Sequence, residues 1–298
     1  MYCYTTTIMI ILFGSNGYIG SEFAKQLEDA KIPAFFWPNT HKTTFQDLEK
    51  WYEDVGYPLI GGVINAAGYT GKPNVDACET DRESAVHGNI VWPTILTDWC
   101  ALNTIPLGHV SSGCIYAGKK SDGGGFTETD EPNFSWQQNN CSFYSGTKAL
   151  SEKIVSKWDS HYIWRLRIPF DEFDGPRNYI SKMLRYQKLL QAENSISHRA
   201  EFVKACIETM TKKVDYGTYN VTNTGYITTD RLVEKLKKTI VKNRDFTLIG
   251  EEELYKNFAK TPRSNCVLDN SKLLATGIKM RTVDAALDHC LANWKYST

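Results

Sequence analysis

The chain has 298 residues, 42% of them hydrophobic and 23% charged. That is enough to bury a full core without staples, and the balance excludes a disordered tail, a collagen-like repeat and a coiled coil. Lys and Arg number 34, as do Asp and Glu, so there is no global field to hold a polyanion, and neither nucleic acid nor an anionic membrane is an expected partner.

The first apolar run, Ile8 to Phe13, is too short to span a bilayer and has no basic segment before it or small-residue cleavage site after it, which predicts a soluble, unexported protein. It reads as a strand buried on both faces of a parallel sheet, ending at Gly14. Ile19, Phe23 and Leu27 then recur at helical spacing. Ala34 to Trp37 is a short strand. Thr44 and Asp47 form a capping box ahead of Phe45, Leu48, Trp51 and Tyr52, and Gly56 supplies a stop. Leu59 to Ala66 is a third strand, His87 to Leu102 a long helix, Pro106 to Val110 a fourth strand, Tyr144 to Trp158 a helix and Tyr162 to Leu166 a further strand. The stretch 117–140, rich in Gly and polar residues, is a long loop of the kind that forms lids or mobile segments. Later elements are a helix over Tyr179 to Gln191, a strand over Thr218 to Thr222, and helices over Asp230 to Val241 and Val283 to Trp294.

Strand and helix alternating in this way predict an α/β fold, a doubly wound parallel sheet of the Rossmann kind with a smaller C-terminal substrate-binding subdomain. Residues 1–168 and about 217–241 are assigned to the Rossmann domain, and about 169–216 and 242–298 to the smaller subdomain. The eight cysteines (Cys3, Cys78, Cys100, Cys114, Cys141, Cys206, Cys266 and Cys290) contain no C-x-x-C pair. They read as reduced thiols of a cytoplasmic protein, with no metal expected.

Gly14, Asn16, Gly17, Tyr18, Ile19 and Gly20 lie between the first strand and the first helix, where glycines allow a pyrophosphate to approach helix N–H groups. The end of the second strand, Phe36 to Lys42 with Asn39 at its centre, has no acid for ribose hydroxyls. This favours NADPH, with NADH as the alternative, and places His41 or Lys42 near the extra phosphate unless they are simply solvated. Tyr144 and Lys148 stand four apart on a helix start, where the ammonium lowers the phenol pKa so that the phenol can protonate a developing alkoxide. Ser111-Ser112-Gly113-Cys114 stands at a strand end, where a hydroxyl can help hold the same oxygen. Arg167, Arg177, Asn178, Arg185 and Arg263 form either a diphosphate or sugar pocket or ordinary ion pairs. By position alone Cys114 is a core thiol and Lys182 a solvated lysine.

These residues resemble the extended short-chain dehydrogenase/reductases, with Asn65-Ala66-Ala67-Gly68 as the strand-end motif near the adenine and Asn89 as the family's asparagine. Asn65 to Asp76, Gly113-Cys114-Ile115, Ser142 to Lys148, Pro176 to Lys182, Pro262 to Asn265 and Leu268-Asp269 resemble, more closely, the plant-type UDP-4-keto-6-deoxyglucose 3,5-epimerase/4-reductases, the C-terminal-half type of UDP-L-rhamnose synthase. The resemblance runs from Ile10 to about Trp294. It implies Ser112, Tyr144 and Lys148 as the reductase triad, with Ser where the plant sequences have Thr, and Cys114 and Lys182 as the epimerase pair. It also implies Ala66, Ala67 and Gly68 at the cofactor, and Thr70, Asn178, Lys182, Arg185, Arg263 and Asn265 at a UDP-sugar. A departure lies at Ser135 to Cys141, which is longer than the family's link. The implied function is conversion of UDP-4-keto-6-deoxyglucose to UDP-L-rhamnose by a homodimer supplied by a 4,6-dehydratase. Alternatives are a dTDP-4-keto-rhamnose reductase, a GDP-4-keto-6-deoxymannose epimerase/reductase and a non-catalytic NADP-binding regulatory subunit. Intact Tyr144, Lys148 and Cys114 argue against the last.

Overall fold

The structure, a computed structural model, describes residues 8–72 and 74–297, so Cys3 and Pro73 of the sequence reading lie outside it. β1 (Met9–Phe13) is buried over its last four residues. α1 (Gly20–Asp29) turns Phe23 and Leu27 inward, and β2 (Ala34–Trp37) stands where its apolar run predicts. α2 (Phe45–Asp54) starts at the predicted capping box: the Asp47 N–H donates to Thr44 Oγ1 at 3.2 Å and the Thr44 N–H to Asp47 Oδ2 at 2.8 Å. β3 (Ile60–Asn65) is the third run.

The helix expected over His87 to Leu102 begins earlier and is less regular. α3 (Arg82–Val86) leads into a π-helical turn, His87–Val91, and then α4 (Trp92–Leu102). Pro93 has no N–H for the carbonyl four residues back, and the wider turn absorbs the missing bond. β4 (Leu107–Ser112), α5 (Phe143–Val155) and β5 (His161–Leu166) follow as predicted. The loop between β4 and α5 is tied down: bridges join Gly118 to Cys266 and Phe126 to Leu268, and the Tyr116 hydroxyl donates to the Asp130 carbonyl at 2.6 Å.

After β6 (Pro169–Phe170), the helix predicted to reach Gln191 stops early. α6 (Tyr179–Arg185) ends at an extended Tyr186, and β7 (Lys188–Leu190) becomes a strand. Its partner lies far along the chain, so the Leu189-Leu190 pair carries no local signal of a strand. β8 (Glu193–Asn194) and β9 (Ser197–His198) precede α7 (Arg199–Thr211), a helix the sequence reading misses. Its buried Phe202, Val203, Ala205 and Cys206 lie on one face, which the small Ala205 and Cys206 mark only weakly in the sequence. β10 (Gly217–Asn220), β11 (Ile227–Thr228), α8 (Thr229–Thr239), β12 (Thr247–Ile249), α9 (Glu251–Asn257), α10 (Ser271–Ala275) and α11 (Val283–Ala292) complete the described chain. β12 pairs in parallel with β7, Leu248 opposite Leu189.

The main sheet has the order β10-β5-β4-β3-β1-β2. β1 pairs in parallel with β2 on one side and β3 on the other, Phe13 facing Asn65 in the register with β3. The chain therefore winds outward in both directions from β1 and β3, and a doubly wound sheet binds ligand beyond the carboxyl ends of the strands at this reversal.

Two compact units divide the chain. The first comprises the described residues of Met1–Ser111 with Thr147–Trp164 and Cys206–Thr218; the second comprises Ser112–Gly146, Arg165–Ala205 and the described residues of Tyr219–Thr298. Trp37, Leu48, Trp92, Leu96, Trp99 and Leu107 are at the core of the first, and Phe170, Ile180, Leu232, Leu236, Leu287 and Leu291 at that of the second. The boundaries differ from those read from sequence. The end of α7 joins the first unit because the Trp164 indole donates to Thr209 Oγ1 at 3.0 Å, and the Tyr162 hydroxyl to the Val214 carbonyl at 2.7 Å. α8 joins the second because Leu232 and Leu236 are part of its core.

Candidate active site

In the first unit the loop after β1 is shaped for close backbone approach. Gly14 has φ +81°, and a Cβ there would lie 2.6 Å from the Ala67 nitrogen. A Cβ on Gly20 would lie 1.9 Å from the Gly14 carbonyl oxygen, so both positions exclude any side chain. The Gly17 N–H closes the turn onto that carbonyl at 2.9 Å. Ile19, at the head of α1, offers its first N–H groups no side-chain acceptor. Asn16 is exposed, with Tyr18 and Ile19 half-buried. This cradle fits the pyrophosphate of a dinucleotide. Beyond β2, Asn39 adopts a left-handed conformation, φ +53°, and stands exposed with His41 and Lys42.

Ala66, Ala67 and Gly68 leave the end of β3 beside this cradle, and Asn65 is spent holding them. Its Oδ1 accepts the Ala67 N–H at 3.1 Å and the Trp92 indole N–H at 3.2 Å, while its Nδ2 lies 3.0 Å from His109 Nδ1. Asn89, in the π turn, accepts the Tyr69 N–H at 2.8 Å and donates to the Tyr69 carbonyl at 2.8 Å and Thr147 Oγ1 at 3.1 Å. It fixes the segment that carries the exposed Thr70. Lys148 is buried on α5, its ammonium donating to the Val110 carbonyl at 3.0 Å and lying 3.3 Å from His109 Nε2. His109 escapes the sequence reading because a lone histidine within a strand has no motif to mark it.

In the second unit Ser112 ends β4 and caps the turn Gly113–Ile115: its Oγ accepts the Cys114 N–H at 3.2 Å. Cys114 is buried at 7% exposure. Tyr144 is half-buried in the first turn of α5, which Ser142 starts by accepting the Ser145 N–H at 3.2 Å. Lys182 lies on α6, where burial first, and then the charges of Arg177 and Arg185, hold its ammonium below the usual lysine pKa. Asn178, expected at the substrate, is fully buried and its amide is engaged structurally: it accepts the Ile180 N–H at 3.0 Å to cap α6 and donates to Asp171 and Phe173. It positions the helix that carries Lys182.

Arg185 is exposed and paired with Asp174 at 3.0 Å, bordering a hollow of about 750 Å³ with Lys242 and Arg244. Arg263 and Asn265 line a different pocket, of about 340 Å³, with Gly118, Gln191 and Glu193. Arg185 therefore lines one hollow, and Arg263 and Asn265 another. Arg167 is buried at 5% exposure and makes no ion pair among the described residues; its Nη2 donates to Asn194 Oδ1 at 2.5 Å and to the Ser264 carbonyl. Its stem packs on Gly113, next to Cys114.

The chain matches the RmlD substrate binding domain family over residues 8–296. It is 31% identical over 272 residues to a trifunctional UDP-glucose 4,6-dehydratase/UDP-4-keto-6-deoxy-D-glucose 3,5-epimerase/UDP-4-keto-L-rhamnose-reductase of Arabidopsis thaliana, aligning 90% of this chain but spanning only 39% of that protein. A bifunctional dTDP-4-dehydrorhamnose 3,5-epimerase/dTDP-4-dehydrorhamnose reductase of the same plant is 32% identical over 277 residues, 90% of this chain and 87% of its own. Among solved structures, the UDP-rhamnose synthase of Acanthamoeba polyphaga mimivirus shares the fold with a TM-score of 0.86 at 24% identity, covering 96% of this chain and 99% of that one. Matched over nearly all of its length, the chain belongs to the RmlD substrate binding domain family.

Proposed function

We propose that the chain is a bifunctional 3,5-epimerase and NADPH-dependent 4-keto reductase that converts UDP-4-keto-6-deoxyglucose to UDP-L-rhamnose. The observation that carries this reading is the bond between Ser112 Oγ and the Cys114 N–H, which puts the hydroxyl for a ketone oxygen and the thiol for a carbon-bound proton in one turn. The names of the relatives support the same pair of activities, and that of the second points to a dTDP-linked sugar as the alternative substrate.

The 4-keto group acidifies C3–H and C5–H. Cys114, as thiolate, takes a proton from one face and leaves the electron pair as an enolate on the C4 oxygen; Lys182, as ammonium, returns a proton to the opposite face and inverts the centre. Gly14, Gly17 and Gly20 would hold the pyrophosphate of NADPH, whose nicotinamide would supply hydride to C4. Tyr144 gives its phenolic proton to the former ketone oxygen, Ser112 holds that oxygen, and the charge on Lys148 keeps the phenol acidic enough to give up the proton. Exposed His41 and Lys42, with no acid at the end of β2, favour a 2′-phosphate and hence NADPH over NADH. A 4,6-dehydratase must supply the ketone. Among the described residues no disulfide joins two cysteines, which suits a reducing cytoplasm, and a homodimer is the expected assembly.

NADPH oxidation measured with UDP-, dTDP- and GDP-linked 4-keto-6-deoxy sugars tests the substrate, with UDP expected to give the highest kcat/KM. Incubating the substrate in D₂O without NADPH tests the epimerase, because deuterium should enter C3 and C5 with the wild type and not with Cys114→Ala. Undiminished exchange in that variant would leave the protein a reductase only.

A further inference from the structure

Buried in the first unit is a hydrogen-bond chain whose direction is decided at one end. Asn65 Oδ1 receives two obligate donors, the Ala67 N–H and the Trp92 indole N–H, so its amide cannot be turned round. The Asn65 Nδ2 must therefore donate to His109, and His109 Nδ1 must accept. A neutral imidazole carries one proton, which then sits on Nε2. Ser151 Oγ, 3.1 Å away, takes it. Lys148 Nζ, 3.3 Å from the same Nε2, meets a ring nitrogen with no lone pair to offer. The opposite tautomer would accept from the ammonium and draw it into the core; this one cannot.

We propose that His109 is a positioning residue for Lys148: locked by Asn65 as the Nε2–H tautomer, it forms a wall that keeps the ammonium on the Val110 side and its charge available to the phenol and the cofactor. Lys148 and Ser151 approach His109 from α5 and Asn65 from β3, and the nearby Glu152 carboxylate is occupied by the Ser111 hydroxyl at 2.6 Å. Burial, followed by the charge of Lys148, holds the imidazole pKa well below its usual value, so the ring stays neutral through the working range. The hydrogen bonds run from the Ala67 N–H through Asn65 and His109 to Ser151, three residues beyond Lys148 on α5, so the cofactor loop and the helix that carries the lysine share one fixed frame.

Part of the test is independent of activity. In the nitrogen-15 spectrum of the wild-type protein, with His109 assigned by its loss in His109→Gln, Nδ1 should be the pyridine-like nitrogen and remain so from neutral pH to about pH 5.5. His109→Asn keeps an acceptor for Asn65 but opens the space beside Lys148. It should weaken NADPH binding at least fivefold, read by fluorescence titration. The charge on Lys148 would then be screened by solvent, so the phenol pKa should rise, moving the basic limb of kcat for reduction upward by at least half a pH unit. His109→Gln, which restores an N–H donor at the Nε2 position, should bring both back toward wild type. A pyridine-like Nε2 in the wild type, or unchanged NADPH affinity in a folded His109→Asn protein, overturns the proposal. The pH limb rests on the reductase reading, whereas the spectrum and the NADPH titration do not, so the two can fail separately.

Discussion

Trp136 occupies the space that a side chain at position 146 would need: a Cβ on Gly146 would lie 2.0 Å from the indole Nε1. Trp136 also packs on Phe143, ring centroids 5.3 Å apart. The segment Ser135 to Cys141 is thereby held against the first turn of α5, beside Tyr144. Gly146→Ala should force the indole away and destabilise the protein by about 1–3 kcal/mol, as overpacking does. In a Trp136→Ala background the same glycine substitution should cost much less. Thermal unfolding of the four proteins of the cycle measures this, and equal losses in both backgrounds would show that the indole is not what the glycine accommodates.

Tyr144 and Lys148 should separate by what their loss does. Tyr144→Phe removes only the proton donor, so kcat for ketone reduction should fall by roughly a hundredfold or more while NADPH affinity stays within about twofold. Lys148→Ala should weaken NADPH binding as well as turnover, because the same ammonium abuts the His109 ring that Asn65 ties to the cofactor loop. Steady-state kinetics and a cofactor titration decide, and near-normal turnover of Tyr144→Phe would displace the phenol from its role.

Burial and the neighbouring Arg177 and Arg185 lower the pKa of Lys182. The protonated form is therefore lost at a lower pH than for a free lysine, and a step that needs the ammonium should decline as pH rises through that lowered value. Arg185→Gln removes one of the two repelling charges, so the declining limb of deuterium exchange should move to higher pH. Exchange followed from neutral pH to about pH 10 reads the limb directly, and a shift in the opposite direction would count against Lys182 as the acid.

Glu172 accepts a hydrogen bond from His198 Nε2 at 3.2 Å, and mainly for that reason its carboxyl pKa falls from 4.5 to about 2. Because the folded pKa is depressed, the stability it contributes is complete above about pH 4.5 and is lost as pH falls toward 2. The difference in unfolding midpoint between wild type and Glu172→Gln should be largest near neutrality and shrink across that window. A difference that is constant with pH would assign the residue's contribution to packing alone.

The sequence by itself determined the first half of the fold closely. An apolar run such as Ile10 to Phe13 must be buried on both faces, and Thr44 and Asp47 can bond only to their own helix start, so burial and capping are written locally. The places of Gly14, Gly20, Ser112, Tyr144 and Lys148 in the fold were legible for the same reason, each being tied to the end of a strand or the start of a helix. Tertiary structure decided what depends on partners distant in the chain. Leu189 and Leu190 are strand rather than helix because Leu248 and Ile249 pair with them, and α7 buries a face on which Ala205 and Cys206 are too small to stand out in the sequence. Asn178 looked like a ligand residue and is instead committed to Asp171 and the head of α6. His109 shows the limit most clearly: its tautomer is set by Asn65, 44 residues away, which is fixed in turn by Ala67 and Trp92. A hydrogen bond's direction depends on every donor and acceptor that reaches the group, and only the folded chain assembles them.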